Sequence, residues 1–332
     1  MNRRTLLLSA PALLFARSAL AQGAPDPLIP ILDRAGSLRP LETVIVARDG
    51  KVVAERGYRG NRVTNPTNIK SASKSVVSAL VGMAIDKGLL EGPDQRIAPI
   101  LEADLPQNPD PRIERVTIGN LLSMQSGLSR TSGPNYGRWV SSRNWVRFAL
   151  SQPFVDDPGA GMLYSTGSTH LLSAVLTRVS GRSTLALARE WFEPLEGFAI
   201  TSWDRDPQGI YFGGNQMAMS PRSLLAFGEL YRNGGRTPEG RQLVSKSWID
   251  QSWTLRTHSV FNGDGYGYGW FLTDLAGTPV RYAWGYGGQM LYIAPERSLT
   301  VVMTSAEDNP SARTGYRDDL HALFAEIAGT TA

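Results

Sequence analysis

Ser71 and Lys74 stand one helical turn apart in the run Lys70-Ser71-Ala72-Ser73-Lys74, and together they could carry out nucleophilic chemistry. A serine hydroxyl attacks a carbonyl only when a base takes its proton. Residues three apart share a helix face, so the amine of Lys74 can reach the hydroxyl of Ser71. The positive end of the helix dipole and partial burial both disfavour an ammonium there, which favours the neutral, basic lysine. The same helix end offers the N–H of Ser71 to a developing oxyanion. The spacing alone is weak, since chance supplies ~0.4 Ser-x-x-Lys matches in a chain of this composition, and an N-cap serine followed by a solvated lysine accounts for it as readily.

Two further segments add to it. Pro158-Gly159-Ala160-Gly161-Met162-Leu163-Tyr164-Ser165-Thr166-Gly167 leads into an apolar helical pattern. A tyrosine there could pass a proton between nucleophile and leaving group, with the nearby lysine charge lowering its pKa, or it could be a packed aromatic whose hydroxyl meets backbone. Tyr282-Ala283-Trp284-Gly285-Tyr286-Gly287-Gly288-Gln289 precedes a β-branched run. Its glycines let the backbone approach a ligand, so the N–H of Gly285 or, with a one-residue gap, of Tyr286 would complete an oxyanion hole. Trp284 and Gly287 fall in the same stretch as substrate-lining candidates, and a glycine bulge is the structural alternative.

These residues need a frame. Leu41 to Ala47 and Lys51 to Ala54, joined at Arg48-Asp49-Gly50, predict a hairpin, and Tyr282 to Trp284, Gln289 to Ala294 and Leu299 to Met303 predict strands near the other end. Between them the apolar spacing predicts helices at about residues 71–87, 117–124, 143–151, 168–180, 221–233 and 246–253, with a closing helix from about Ser311 to Ile327. After Ser71, the positions Val77, Leu80, Val81, Ala84 and Ile85 fall on one face, so Ser71 opens a buried helix. Strands at both termini around a helical middle imply one antiparallel sheet built from both chain ends. The expected organisation is a single domain over about residues 28–328, with sheet regions near 40–70 and 255–328 and a helical region near 71–254. Long Gly, Pro and Asp-rich stretches, Glu91 to Arg112, Ser129 to Tyr136 and Trp203 to Asn215, are loops fit to wall a site.

Composition narrows the function classes. The chain has 332 residues and 42% hydrophobic content, enough for a packed core, and no cysteine, so neither disulfides nor thiolate zinc sites enter. Met1 to Ala21 has a basic start, an apolar run and a small-residue end at Ala19-Leu20-Ala21, which reads as a cleavable Sec or twin-arginine export signal and places the protein in the periplasm or outside the cell. Ser9, Pro11 and Arg17 leave too short an apolar stretch for a membrane span. Without Arg3, Arg4 and Arg17 the net charge falls from +4 to about +1, and no basic stripe suggests nucleic acid. His170, His258 and His321 stand singly, as packed or exposed side chains, no motif asks for a metal or cofactor, and no Gly-x-Ser-x-Gly elbow is present. Gly263 to Gly269 is glycine-rich but lacks the features of a phosphate loop.

Taken in order, the Ser71-x-x-Lys74 helix, Ile118-Gly119-Asn120-Leu121-Leu122-Ser123-Met124-Gln125-Ser126-Gly127-Leu128, Pro158-Gly159 with Tyr164-Ser165, Pro194-Leu195 and Gly285-Tyr286-Gly287-Gly288-Gln289 resemble the β-lactamase-like serine hydrolases. That group includes class C β-lactamases, D-alanyl-D-alanine peptidases, family VIII carboxylesterases and 6-aminohexanoate-dimer hydrolases. The resemblance implies an α+β, β-lactamase/penicillin-binding-protein-like fold. It also implies an acyl-enzyme on Ser71, with Lys74 and Tyr164 as general base and acid and a small-molecule ester or amide as substrate. The chain departs from many relatives in two places: Tyr164-Ser165-Thr166 replaces Tyr-x-Asn, and Tyr282-Ala283-Trp284 stands at Lys-Thr-Gly in the gapless register. The second departure removes the cation that meets a substrate carboxylate, which places the chain nearer the esterase and amide-hydrolase branch than the β-lactamases. A β-lactamase, a penicillin-binding peptidase or a ligand-binding module that has lost turnover remain the other readings.

Overall fold

The structure, a computed structural model, describes residues 27–330, so the expected export signal over residues 1–21 lies outside the described residues. The strands are β1 (Leu41–Arg48), β2 (Lys51–Gly57), β3 (Thr67–Asn68), β4 (Ser202–Trp203), β5 (Met217–Met219), β6 (Thr257–His258), β7 (Gly265–Tyr266), β8 (Phe271–Leu275), β9 (Thr278–Gly285), β10 (Gln289–Ala294) and β11 (Leu299–Ser305). Eight of them form one antiparallel sheet in the order β2-β1-β11-β10-β9-β8-β7-β6, and β3, β5 and β4 form a small second sheet. The two chain ends meet where β1 pairs with β11, Val44 opposite Met303 and Val46 opposite Val301. This is the mixed α and β architecture, with its antiparallel sheet drawn from both ends, that the sequence predicts.

Alternation along β1 explains why its apolar run is continuous. Val44 and Val46 face one core cluster, shared with Leu32, Leu320 and Phe324, while Ile45 and Ala47 face a second, shared with Val77, Leu80 and Phe227. Side chains alternate across a strand, so a sheet covered by helices on both faces needs apolar residues at every position. The helix Leu28–Ala35 covers the first face through Leu28, Ile31, Leu32 and Ala35. The sequence predicts no element before β1, and this helix corrects that: residues spaced i, i+3, i+4 and i+7 bury a stripe on the sheet. The closing helix runs Tyr316–Gly329 rather than from Ser311, since Gly315 at φ +78° separates it from a short 3₁₀ turn. The helix Thr184–Trp191, capped by Ser183, was not expected. Among the described residues no helix is long and apolar enough to cross a membrane.

The helix that follows Ser71 is Ser73–Asp86, and Ser71 itself sits in the single 3₁₀ turn Lys70–Ala72 before it. Nearly every side chain of this helix is buried, Lys74 included. Its hydroxyls Ser75 and Ser78 donate to the carbonyls of Gly269 (2.6 Å) and Tyr268 (2.7 Å), so part of the glycine-rich stretch before β8 is a turn clamped to the helix.

The long loop between β4 and β5 is pinned from inside. His170 Nε2 and Asp206 Oδ2 lie 3.0 Å apart with both side chains fully buried. The other carboxylate oxygen accepts the N–H groups of Gln208 (2.8 Å) and Ile210 (2.9 Å), and Nδ1 of His170 accepts from Gly213 N–H at 3.3 Å. The ring must therefore carry its proton on Nε2 and donate it to Asp206. Asp206→Ala removes three acceptor contacts and leaves a buried imidazole N–H unpaired, so it should lower unfolding free energy by about 3 kcal/mol. Equilibrium denaturation of this variant reads the effect directly, and a change within about 0.5 kcal/mol would show that the anchor is not structural.

Candidate active site

The turn before Ser71 is held in an unusual conformation. Lys70 has φ +51°, left-handed for a non-glycine residue, and its N–H donates to Asn68 Oδ1 at 2.9 Å. Asn68 in turn donates to Gln216 Oε1 at 2.8 Å, Ile69 N–H donates to the carbonyl of Met217 at 2.9 Å, and the Lys70 ammonium pairs with Glu307. A strained backbone persists only where its surroundings over-determine it. Here strands β3 and β5 and the 306–310 loop supply that constraint.

Lys74 Nζ lies 3.0 Å from Ser71 Oγ, 2.7 Å from the carbonyl oxygen of Gly214 and 3.3 Å from Thr166 Oγ1. Burial lowers its pKa from the usual lysine value to about 7. Among the described residues no carboxylate pairs with it. A neutral amine has two N–H groups and one lone pair, so it can donate to Gly214 and Thr166 while accepting from the serine hydroxyl. After proton transfer the same three oxygens accept from the ammonium, so the amine keeps its partners in both protonation states.

Tyr164 is brought to the same place. Its segment is tied to the Ile118–Leu128 run, with Leu163 N–H donating to Met124 O (2.8 Å) and Gly159 N–H to Gln125 O (2.8 Å). The Tyr164 ring lies with its centroid 5.1 Å from Lys74 Nζ. Burial raises the phenol to about 12, while a hydrogen bond with Ser71 pulls the other way. The expectation that the lysine charge would lower this pKa is corrected: burial is the larger influence and raises it, and the opposing influence is the hydrogen bond with Ser71 rather than a lysine charge.

Ser165 and Thr166 are divided between support and site. Ser165 Oγ accepts from Thr131 N–H at 3.0 Å, whereas the Thr166 hydroxyl meets both Ser132 Oγ (3.0 Å) and Lys74. Thr166 occupies the third position of Tyr-x-Asn, where the sequence shows only that the amide is missing. Gly214 was missed entirely. It has φ +82°, and a Cβ there would crowd the Lys74 side chain, so the carbonyl reaches the amine only because the residue is glycine. Nothing in the sequence signals it except its place in a long loop.

The third motif closes on the Ser71 turn. A Cβ on Gly285, the last residue of β9, would collide with the carbonyl of Ile69, so the strand end lies directly against the segment leading to Ser71. The turn continues through Tyr286, Gly287 (φ +87°) and Gly288, whose N–H donates to Gly285 O at 3.1 Å. Tyr286 lies beyond the strand, and its N–H bonds to no acceptor among the described residues. The Tyr286 N–H is therefore available as a second donor. Trp284 is half-buried, its indole N–H donating to Ser311 Oγ at 3.0 Å. Tyr282 is fully buried and donates to Asp264 Oδ2 at 2.6 Å, far from any role as a cationic contact. Two cations flank the motif and both are compensated: Lys70 by Glu307, and Arg317, which lies over the Trp284 ring, by Asp318. On the Gly214 side, the pinned loop walls a cavity of about 740 Å³ with Tyr136, Trp145, Asp204, Phe212 and Gln216. Trp139 is core, His258 is exposed and His321 packs against Tyr292, so none of the three joins the site.

With this geometry described, known proteins can be compared. The family model described as Beta-lactamase matches residues 39–326. The chain is 22% identical over 301 residues to the 6-aminohexanoate-dimer hydrolase of Paenarthrobacter ureafaciens, covering 82% of this chain and 74% of that protein. A 146-residue stretch is 32% identical to the probable fimbrial assembly protein FimD, serogroup H1, of Dichelobacter nodosus, and it spans 42% of this chain but only 36% of that protein. The fold superposes on EstCE1, a hydrolase with promiscuous acyltransferase activity, with TM-score 0.72 at 18% identity, covering 91% of this chain and 97% of that one. With most of its length matched by the family model, the chain belongs to the beta-lactamase family.

Proposed function

We propose that this chain is an exported serine hydrolase that cleaves ester or amide bonds through an acyl-enzyme on Ser71. The observation that carries the reading is the buried amine of Lys74, 3.0 Å from Ser71 Oγ and with its pKa lowered to about 7. Lys74 takes the serine proton as Oγ attacks the substrate carbonyl, and the N–H groups of Ser71 and Tyr286 receive the oxyanion. Tyr164, neutral at physiological pH, gives its proton to the leaving oxygen or nitrogen, the bond to the leaving group breaks, and the lysine ammonium restores the phenol. Water then attacks the acyl-enzyme with Lys74 again as base, and Ser71 regains its hydroxyl. The basic and apolar start of the chain supports export to the periplasm or beyond.

The substrate is expected to be a small neutral ester or amide. Tyr282 is buried where a cation would be needed, and the flanking Lys70 and Arg317 already have carboxylate partners, so none of these three positions offers an unpaired cation to a substrate carboxylate. The names of the two relatives, a 6-aminohexanoate-dimer hydrolase and a hydrolase with promiscuous acyltransferase activity, support hydrolysis by acyl transfer. A binding module without turnover fits less well, because Ser71, Lys74 and Tyr164 are all present and in mutual contact.

Ser71→Ala should cut hydrolysis of an aryl ester by on the order of 10⁴-fold and abolish labelling by a fluorophosphonate, while the melting temperature stays near wild type. Labelling at the wild-type level would place the nucleophile elsewhere. Because the base is the neutral amine, kcat/KM should rise as pH increases through about 7 and then level off. Lys74→Arg, permanently charged, should lose nearly all activity at every pH, and full activity in that variant would remove Lys74 from the role. Measured side by side, an aryl butyrate should show a higher kcat/KM than a chromogenic cephalosporin. The reverse order would place the chain among true β-lactamases.

A further inference from the structure

We propose that Phe261 determines leaving-group specificity, forming with Trp284 an apolar wall that receives an aryl or bulky alkyl leaving group beside Tyr164; this rests on the hydrolase reading above. Phe261 lies on the loop between β6 and β7, a segment no sequence motif marks. Its ring stands edge-on to Tyr164, with centroids 5.2 Å apart at 73°, and edge-on to Trp284 at 6.1 Å and 83°. It nevertheless remains 46% exposed, next to Val260 at 58%, and Tyr286 is 48% exposed at the end of β9. Phe261 is thus left open to solvent directly against the buried ring of Tyr164, and its chain neighbour Val260 continues the exposed apolar surface. Apolar surface left open beside a polar site is what the apolar part of a ligand would cover.

The loop is built to hold that exposure. Ser259 N–H donates to Asp264 O (2.7 Å), Gly263 N–H to Ser259 O (2.9 Å) and Phe261 N–H to Ser259 Oγ (3.2 Å). The Asp264 carboxylate accepts from Asn262 (2.7 Å), Thr273 (3.1 Å) and Tyr282 (2.6 Å), which fastens the loop to β8 and β9. Tyr282, which replaces the expected cation of the third motif, serves in this arrangement to anchor the aromatic loop. The direction follows from the chemistry. Lys74 is held from the Gly214 side and Tyr164 is covered from the Phe261 side. The group that accepts the tyrosine proton is the leaving atom, so whatever is attached to it emerges over Tyr164 and meets Phe261. The acyl part stays on the far side of the carbonyl.

Two esters of the same short acid, one with a phenyl and one with a methyl leaving group, give the same acyl-enzyme, so deacylation is common to both and leaving-group recognition appears in kcat/KM. Relative to wild type, Phe261→Ala should lower the phenyl-to-methyl ratio of kcat/KM by about five- to tenfold, carried mainly by KM of the phenyl ester, as expected for loss of one aromatic contact. Phe261→Leu should retain most of the ratio. Across phenyl esters of lengthening acids, the acyl-length preference should be the same in wild type and Phe261→Ala. An unchanged ratio in an active wild-type enzyme, or equal losses on both esters, would overturn the proposal and leave the hydrolase reading standing. A wild-type protein that turns over neither ester and takes no fluorophosphonate at Ser71 would overturn both.

Discussion

The site depends on one buried amine. Lys74 is removed from water, no carboxylate among the described residues compensates it, and an ammonium in that position is costly. The amine therefore spends much of its time neutral near pH 7, and a neutral amine beside a serine hydroxyl is a base. The surrounding residues supply what a desolvated amine requires: carbonyl and hydroxyl oxygens at Gly214 and Thr166, the electron-rich face of Tyr164, and apolar helix neighbours that exclude solvent.

That constraint explains the architecture around it. The helix Ser73–Asp86 passes through the middle of the molecule, so that Lys74 near its start is enclosed from every side. The carbonyl of Gly214 reaches the amine because the His170–Asp206 pair pins its loop and because glycine permits the approach. The sheet delivers β9 to the nucleophile turn, and only a glycine fits at Gly285 against Ile69. The strands of the sheet come from both chain ends, which join where residues 41–48 pair with residues 299–305. Such long-range pairing carries a large loop-closure cost, which the two covered sheet faces offset by burial.

Much of this was legible in the sequence, for identifiable reasons. The hairpin at Arg48-Asp49-Gly50, the strand runs at Gln289 to Ala294 and Leu299 to Met303, and the helices following Ser71 and Tyr164 announce themselves through turn chemistry and periodic apolar spacing. Both are local signals. The short strands β3 to β7 carry too few residues to show alternation, and Leu28–Ala35 was hidden behind the proline-rich segment before it. In the site, Ser71, Lys74 and Tyr164 could be singled out because side-chain chemistry at fixed spacing marks them. Gly214 contributes a backbone carbonyl, and Phe261 contributes exposure and placement, which no residue type encodes. The Tyr164 environment went the wrong way because a neighbouring charge can be inferred from sequence order, whereas full burial of the phenol cannot.

The most direct test is a titration of Lys74 itself. The chain contains only five lysines, so ¹³C labelling of lysine side chains gives a spectrum in which the Lys74 Cε signal can be assigned by its loss in Lys74→Met. Followed against pH in the folded protein, that signal should titrate with a midpoint near 7. A midpoint near the ordinary lysine value of about 10.4 would mean that the amine is charged when the enzyme works, and Lys74 could not be the base.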